Sequence, residues 1–282
     1  MNPLVSVICI CYNHERFVRE ALNSVKSQTY SNIQLIIVDD GSRDGSVRVI
    51  EDWLKENPGA QFLNSGINSG YCKAFNKAFA LAKGEFIIDL SGDDMLMPSR
   101  VEEGVNGFLA KDERCGIQFS DAFYIDSVGK VIKKHSDQFP HDSIPEGDVY
   151  SEVIRRYFIC SPTLMIRKII LNNLGGYDEQ LYYEDFDLWV RAARDYSFFY
   201  TPKPLVQKRV LDQSLGKSQY QSGSKQMDST YRVCLKIMKL NRNPEERDAL
   251  NQRIRYELKW NFRLGHLRLV LLYLALLVRN NF

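Results

Sequence analysis

Two short runs of Val, Ile and Leu, Leu4 to Cys9 and Ile33 to Val38, each end abruptly in polar residues, and Phe17, Ala21, Leu22 and Val25 recur between them at helical spacing. Unbroken apolar runs of this length suit strands buried on both faces, which requires helices on both sides of a parallel sheet. The unit is therefore βαβ. A second unit follows, with Val47, Ile50, Trp53 and Leu54 on one helical face and a short strand near Ala60 to Leu63. Ala74, Phe75, Ala78, Phe79 and Ala82 then pattern a helix that stops at Gly84, and Glu85 to Leu90 makes the next strand. Open sheets of this kind bind ligands outside the carboxyl ends of their strands, so the polar residues there are the first candidates for function.

From Gly116 the pattern loosens. Strands are expected at Gly116 to Ser120 and Lys130 to Lys134, a polar loop through Asp137 to Asp148, and helices from Ser151 to Tyr157 and from Asp185 through Arg194. After Tyr220 the chain reads as helical throughout, in Met227 to Leu240, Pro244 to Leu264 and a last segment from His266. A length of 282 residues accommodates a large α/β domain, 1–215, with a helical C-terminal extension, 216–282. Leu269 to Val278 is an apolar run of ten residues, too short for a bilayer span of about 20 residues. With Arg263, Arg268 and Arg279 around it, two readings stand: a helix packed on the domain or on a second subunit in a homo-oligomer, and a peripheral membrane contact through 266–279.

The 37 basic and 35 acidic side chains leave a net charge of +2, so no strong field points to nucleic acid, which is not an expected partner. Six cysteines (Cys9, Cys11, Cys72, Cys115, Cys160 and Cys234) form no CxxC pair and no zinc-binding spacing, and read as reduced, buried thiols. Met1-Asn2-Pro3 leads straight into the first apolar run with no basic segment and cleavage site, which makes the cytoplasm the expected location.

Three acidic constellations follow strands or open helices. Asp39-Asp40-Gly41-Ser42 closes the second strand, where Gly and Ser permit a tight turn that leaves carboxylates facing the crevice. Taken alone it is also an ordinary turn with a helix cap. Ser91-Gly92-Asp93-Asp94 stands directly after another strand on the same rim, and two adjacent carboxylates suit Mg²⁺ or Mn²⁺, with a diphosphate completing the shell. Gly175-Gly176-Tyr177-Asp178 precedes Glu184-Asp185-Phe186-Asp187, whose three carboxylates at a helix start exceed what a cap requires. One of them is a candidate general base.

Together Val5-Ser6-Val7-Ile8, Tyr12-Asn13, Asp39-Asp40-Gly41-Ser42, Asn68-Ser69-Gly70, Gly84-Glu85-Phe86-Ile87 with Asp93-Asp94, and Glu184-Asp185 resemble glycosyltransferase family 2 in order and spacing, over Pro3 to Ser214. The resemblance implies a GT-A type α/β fold, in which a nucleotide-binding sheet with flanking helices transfers one sugar from a nucleoside diphosphate sugar, with a UDP-sugar favoured. It also implies a glycan or lipid-linked acceptor hydroxyl, inversion of the anomeric centre and a setting in cell-surface polysaccharide or glycoconjugate synthesis. By the same resemblance Tyr12 stacks near the base, Asp40 hydrogen-bonds to it, Asp93 lies by the ribose and Asp94 coordinates the Mn²⁺ or Mg²⁺. Asp185 corresponds to the catalytic base, and Lys73 is a weaker candidate for contact with base or phosphate.

The chain departs from the commonest family pattern at Ser91, where an aspartate often stands, and at Phe75, where an arginine is frequent. The Gln-x-x-Arg-Trp signature of processive synthases is missing, which favours single-sugar transfer. Those departures also motivate an alternative, a catalytically inactive sugar-nucleotide-binding scaffold. A nucleotidyltransferase on a similar sheet would want an early glycine-rich phosphate loop, and Cys11-Tyr12-Asn13-His14 stands there instead.

Overall fold

The computed structural model describes residues 2–139, 144–211, 220–221 and 223–281. In the first third β1 (Val5–Cys11), α1 (Val18–Lys26), β2 (Ile33–Asp39), α2 (Ser46–Glu56), β3 (Gln61–Asn64), α3 (Tyr71–Phe79) and β4 (Phe86–Ser91) alternate as the periodicity implies. There follow β5 (Met95–Leu96), α4 (Arg100–Leu109), β6 (Cys115–Ile125), β7 (Val131–Lys134), α5 (Tyr150–Arg155), β8 (Met165–Arg167), α6 (Lys168–Leu174), α7 (Asp185–Ala193) and β9 (Ser197–Arg209). The chain then turns helical in α8 (Lys225–Leu240), α9 (Pro244–Arg263) and α10 (Leu267–Asn280).

The sheet runs in the order β3-β2-β1-β4-β8-β6-β9-β5, with β7 hairpinned onto β6. Its first four strands are parallel, and β8 then pairs antiparallel with both β4 and β6. Alternate residues of the parallel strands serve two cores. Val5, Val7, Cys9, Phe86, Ile88 and Leu90 meet α1, α2 and α4, while Ile8, Ile10, Ile36, Val38 and Ile87 face α3 and α5 to α7. This double burial is why those strands read as unbroken apolar runs.

The C-terminal helices close the second core rather than forming one of their own. Val233, Ile237, Leu250, Ile254, Tyr273 and Leu276 lie in the same apolar cluster as Phe75, Phe119 and Trp189. Polar links register this packing. Arg194 grips Glu246 through two bonds of 2.9 and 3.0 Å, and the buried Arg253 donates to the Ile154 carbonyl at 2.8 Å with its guanidinium over the Tyr157 ring. No helix among the described residues is long and apolar enough to cross a membrane.

The structure differs from the sequence expectations mainly in the second half. β6 extends to Ile125, well past Ser120, and β9 occupies a stretch with no strand signal, because Pro202 and Pro204 argue against one. The pairing skips there: Ser120 aligns with Thr201 and Asp121 with Pro204, so Pro202 and Lys203 are passed over and both prolines fall at an irregularity in the register. The helix α6 and the two- and three-residue strands β5 and β8 are further elements without an expectation above. The domain boundary at 215/216, the end of the family resemblance at Ser214 and residues 140–143 of the expected polar loop lie outside the described residues.

One shared core implies one cooperative unit. Leu276→Ala, far in sequence from the sheet but 1% exposed, is expected to cost roughly 2–5 kcal/mol. Urea unfolding followed by fluorescence and by circular dichroism should show that loss in a single transition; a separate early transition for the variant would make the extension an independent domain.

Candidate functional site

Register alone brings three strand ends together. Cys11 aligns with Asp39 and Ile10 with Ser91, so Tyr12, Asp40 and Asp93-Asp94 emerge along one edge of the sheet. Tyr12 is 38% exposed. Asn13 after it adopts a left-handed φ of 58°, which Asn tolerates, and accepts the Arg43 N–H at 2.8 Å, lacing this turn to the one after β2.

The two aspartates of that second turn have different tasks. Asp39 is fully buried and accepts the N–H groups of Gly41 and Ser42 at 3.1 and 2.9 Å, closing the turn on itself. Asp40 accepts from the Ser69 N–H and hydroxyl and from the Gly70 N–H, at 2.9, 2.8 and 2.9 Å. It thereby holds the loop that opens α3. Gly41, at φ 76°, lets the turn press against that loop, since a side chain there would meet the Ile67 carbonyl carbon at 2.3 Å. Lys73 stands exposed on the first turn of α3. Phe75, at the position where the family often has arginine, faces inward and stacks on Tyr177 with ring centroids 4.0 Å apart.

Beyond β4 the Ser91 hydroxyl donates to Asp93 Oδ1, and His14 Nε2 lies 3.9 Å from the same oxygen. Asp94 is 5% exposed, and its Oδ1 accepts the Arg209 backbone N–H at 2.7 Å. Burial, with the Asp93 charge beside it, pushes the Asp94 carboxyl well above the usual range. Asp94 is buried and Asp93 half-buried, and two adjacent carboxylates are the donor chemistry of a hard divalent cation. Among the described residues no group of three or more His, Cys, Asp or Glu side chains gathers to hold a metal. The residues therefore fit a cation that takes one or two carboxylate oxygens from the chain and the rest from a diphosphate and water.

Arg209 secures this turn. Its Nε donates to the Asp93 carbonyl at 3.0 Å, Nη1 to the Asp126 carbonyl at 3.1 Å and Nη2 to Glu20 at 2.6 Å, and its guanidinium lies 4.5 Å from the centre of the Phe17 ring.

The third constellation resolves into separate roles. Asp187 is buried and doubly paired, with Arg191 at 2.7 Å and Lys236 at 2.5 Å, so it knits α7 to α8. Asp185 instead lines a cavity of about 240 Å³ together with Tyr124, His135, Ser161, Trp189 and Lys208. Burial raises the Asp185 carboxyl, opposed by the Phe186 N–H at 2.6 Å and by the Lys208 charge. Burial and the charges of Asp185 and Asp89 drive Glu184 well above its ordinary value. Both carboxyls thus have raised proton affinity, and their adjacent like charges oppose simultaneous ionisation. His135 is not a competing base: its Nδ1 faces the Tyr124 hydroxyl at 2.8 Å, its Nε2 the Phe158 carbonyl at 2.9 Å, and burial lowers its pKa.

Two residues of this region escape sequence reading. Lys208 stands on β9, close enough to Asp94 and Asp185 for both to act on it: burial disfavours its charge, yet Cys160, Tyr124, Asp94 and Asp185 hold its pKa above the ordinary lysine value. Asp89 lies inside β4 and accepts the Tyr71 and Tyr177 hydroxyls at 2.7 and 2.8 Å. Burial raises its carboxyl to about 7 against those two bonds. An aspartate within an otherwise apolar strand was the available signal, since such a group is rarely buried without partners.

A family model described as glycosyl transferase family 2 matches residues 6–174. An uncharacterized glycosyltransferase of Methanocaldococcus jannaschii is 27% identical over 213 residues, covering 74% of this chain and 71% of that protein. One of Rickettsia typhi is 31% identical over 222 residues, covering 75% and 65%. Among solved structures, S. aureus TarS 1-349 in complex with UDP-GlcNAc superposes with a TM-score of 0.70 at 19% identity, over 92% of this chain and 73% of that one. The mannosyltransferase PcManGT from Pyrobaculum calidifontis, in complex with GDP-Man and Mn²⁺, does so with a TM-score of 0.66 at 16% identity, over 99% and 75%. The chain spans 43% of a longer TarS chain. At these identities the structural likeness is one of fold, the GT-A type.

The Asp89 carboxyl sets a stability difference with a defined sign. Its proton is held up to about 7 in the folded protein and released near ~4 in the unfolded chain. Wild-type stability should therefore fall relative to Asp89→Asn as pH rises through that window. Urea titrations at about pH 5 and about pH 8 check this; a wild-type-to-variant difference that is the same at both would mean that Asp89 does not titrate there.

Proposed function

Because the chain belongs to glycosyl transferase family 2, we propose that it transfers a single sugar from a nucleoside diphosphate sugar, with a UDP-sugar favoured, to a hydroxyl of a glycan or lipid-linked acceptor, inverting the anomeric centre. Cell-surface polysaccharide or glycoconjugate synthesis is the setting. Asp185 carries this reading: of the three carboxylates opening α7, it is the one that lines the cavity of about 240 Å³. TarS was solved with UDP-GlcNAc and PcManGT with GDP-Man, which supports a nucleoside diphosphate sugar as donor.

The nucleotide would lie along the strand-end rim, with the base against Tyr12 and the Asp40 turn, the ribose by Asp93 and Lys73 beside base or phosphate. Asp94, with Asp93 next to it, would hold Mn²⁺ or Mg²⁺, which when bound offsets negative charge on the departing diphosphate. The acceptor hydroxyl enters the cavity and gives its proton to the Asp185 carboxylate. Its oxygen then bonds to the anomeric carbon as the bond from that carbon to the diphosphate oxygen breaks. A single displacement of this kind inverts the centre. Burial makes Asp185 a stronger base than an exposed aspartate, while Lys208 and the Phe186 N–H keep its ionised form available.

Asp185→Asn keeps the shape and cannot accept the proton. Transfer from UDP-sugars is expected to fall roughly 10²-fold or more with nucleotide affinity little changed. Wild-type transfer by this variant, with loss in Glu184→Gln instead, would move the base to Glu184. Wild-type protein that binds UDP but transfers nothing to any acceptor would be the scaffold rather than the enzyme. Excess chelator should abolish transfer and added Mn²⁺ or Mg²⁺ restore it; full activity in chelator would remove the cation from the mechanism.

A further inference from the structure

The last helix is apolar on both sides. α10 buries Leu269, Tyr273, Leu276 and Asn280 against the core, yet Leu267, Leu271 and Val278 on its outer side are 68%, 67% and 58% exposed, with Leu274 also exposed between them. Their spacing of four, three and four residues puts them in one row along the helix, about 16 Å long. Phe262, 71% exposed near the end of α9, adds to the same end of the molecule. A helix that is hydrophobic all round is ordinarily covered on all sides, and a continuous exposed row of this kind marks a contact.

The charges around the row choose the occupant. No Asp or Glu follows Glu257 in the chain, whereas Lys259, Arg263, Arg268 and Arg279 are all exposed in that stretch. Of the acidic side chains on the helices beside it, Asp228 of α8 is already paired with Arg268 at 2.7 Å, and Asp248 of α9 accepts from Gln252 at 2.7 Å. A second copy docked on this face about a two-fold axis would set arginine rim against arginine rim, which costs free energy. An anionic lipid surface meets the same rim with opposite charge and admits the leucines between its headgroups.

We propose that this face rests on an anionic membrane surface, with α10 lying in the plane of the headgroups. It uses no residue of the strand-end rim or of the Asp185 cavity, so it stands or falls apart from the transferase reading.

The test is co-sedimentation of the whole chain with phosphatidylcholine vesicles containing about 30% phosphatidylglycerol, and with phosphatidylcholine alone. Wild-type protein should pellet with the anionic vesicles, less in about 0.5 M salt, and stay in solution with the neutral ones. The double variant Leu271→Ser/Leu274→Ser and the double variant Arg263→Gln/Arg279→Gln should each lower the partition coefficient roughly tenfold or more, with unchanged circular dichroism. All four positions are exposed, so neither variant disturbs the core. Absence of pelleting, or equal pelleting of wild type and both variants, overturns the proposal. So does a dimer in sedimentation velocity that Leu271→Ser/Leu274→Ser abolishes, which would make the face a contact between copies.

Discussion

Arg209 is the point on which the site depends. A buried guanidinium must have its donors satisfied, and its planar fork reaches several acceptors from one place. Here those acceptors are the Asp93 carbonyl, the Asp126 carbonyl and the Glu20 carboxylate, while the residue's own backbone N–H holds Asp94. One cation thus ties β9, the turn after β4, the end of β6 and α1 together. Without that tie the two adjacent carboxylates of Asp93 and Asp94 would repel in a site largely closed to water.

The remaining carboxylates show how burial and pairing separate roles among chemically identical groups. Asp187 and Asp178 both meet Lys236, at 2.5 and 2.6 Å, and are spent on joining α7 and its preceding loop to α8. Asp39 and Asp40 are spent on backbone N–H groups of turns. Asp185, which among the described residues accepts the adjacent Phe186 N–H and feels the nearby Lys208 charge, keeps a raised proton affinity and opens on a cavity. What sets Asp185 apart from Asp187 and Asp178 is that its burial is not offset by an ion pair to a helix lysine and that it opens on the cavity.

The C-terminal helices serve the site at one remove. α9 packs on α5 and α7 through Arg253 and Glu246, and so braces the element that presents Asp185. The GGYD turn before α7 is braced from the other side, where Gly176 sits so close to Asn76 of α3 that a side chain would lie 2.5 Å from Asn76 Oδ1. Tyr177, which follows, donates its N–H to Asn76 Oδ1 and accepts from Asn76 Nδ2 through its carbonyl, each at 2.9 Å, and its hydroxyl donates to Asp89. Rim and cavity are therefore parts of one packed body.

The first half of this protein was legible in its residues because period and turn chemistry are local. Apolar runs marked β1, β2 and β4, and the Asp, Gly and Ser that end them predicted both the turns and the shared rim bearing Tyr12, Asp40, Asp93 and Asp94. The resemblance to family 2 singled out Asp185 over its neighbours, but nothing along the chain said why Asp187 should differ from it two residues away. Arg191, one turn further along α7, supplies a local pair, and Lys236 supplies the second, whose approach depends on how α8 docks. Likewise Pro202 and Pro204 concealed β9, and with it Lys208 and Arg209, because the irregular register that accommodates the prolines exists only once β6 lies alongside. Sequence by itself determined which segments could be strands and where carboxylates would cluster, since those follow from spacing within a few residues. Tertiary structure decided which carboxylate is buried, which gains a second ion pair and which faces a cavity, because desolvation and partners such as Lys236, Lys208 and Arg209 come from segments distant along the chain and are brought close only by packing.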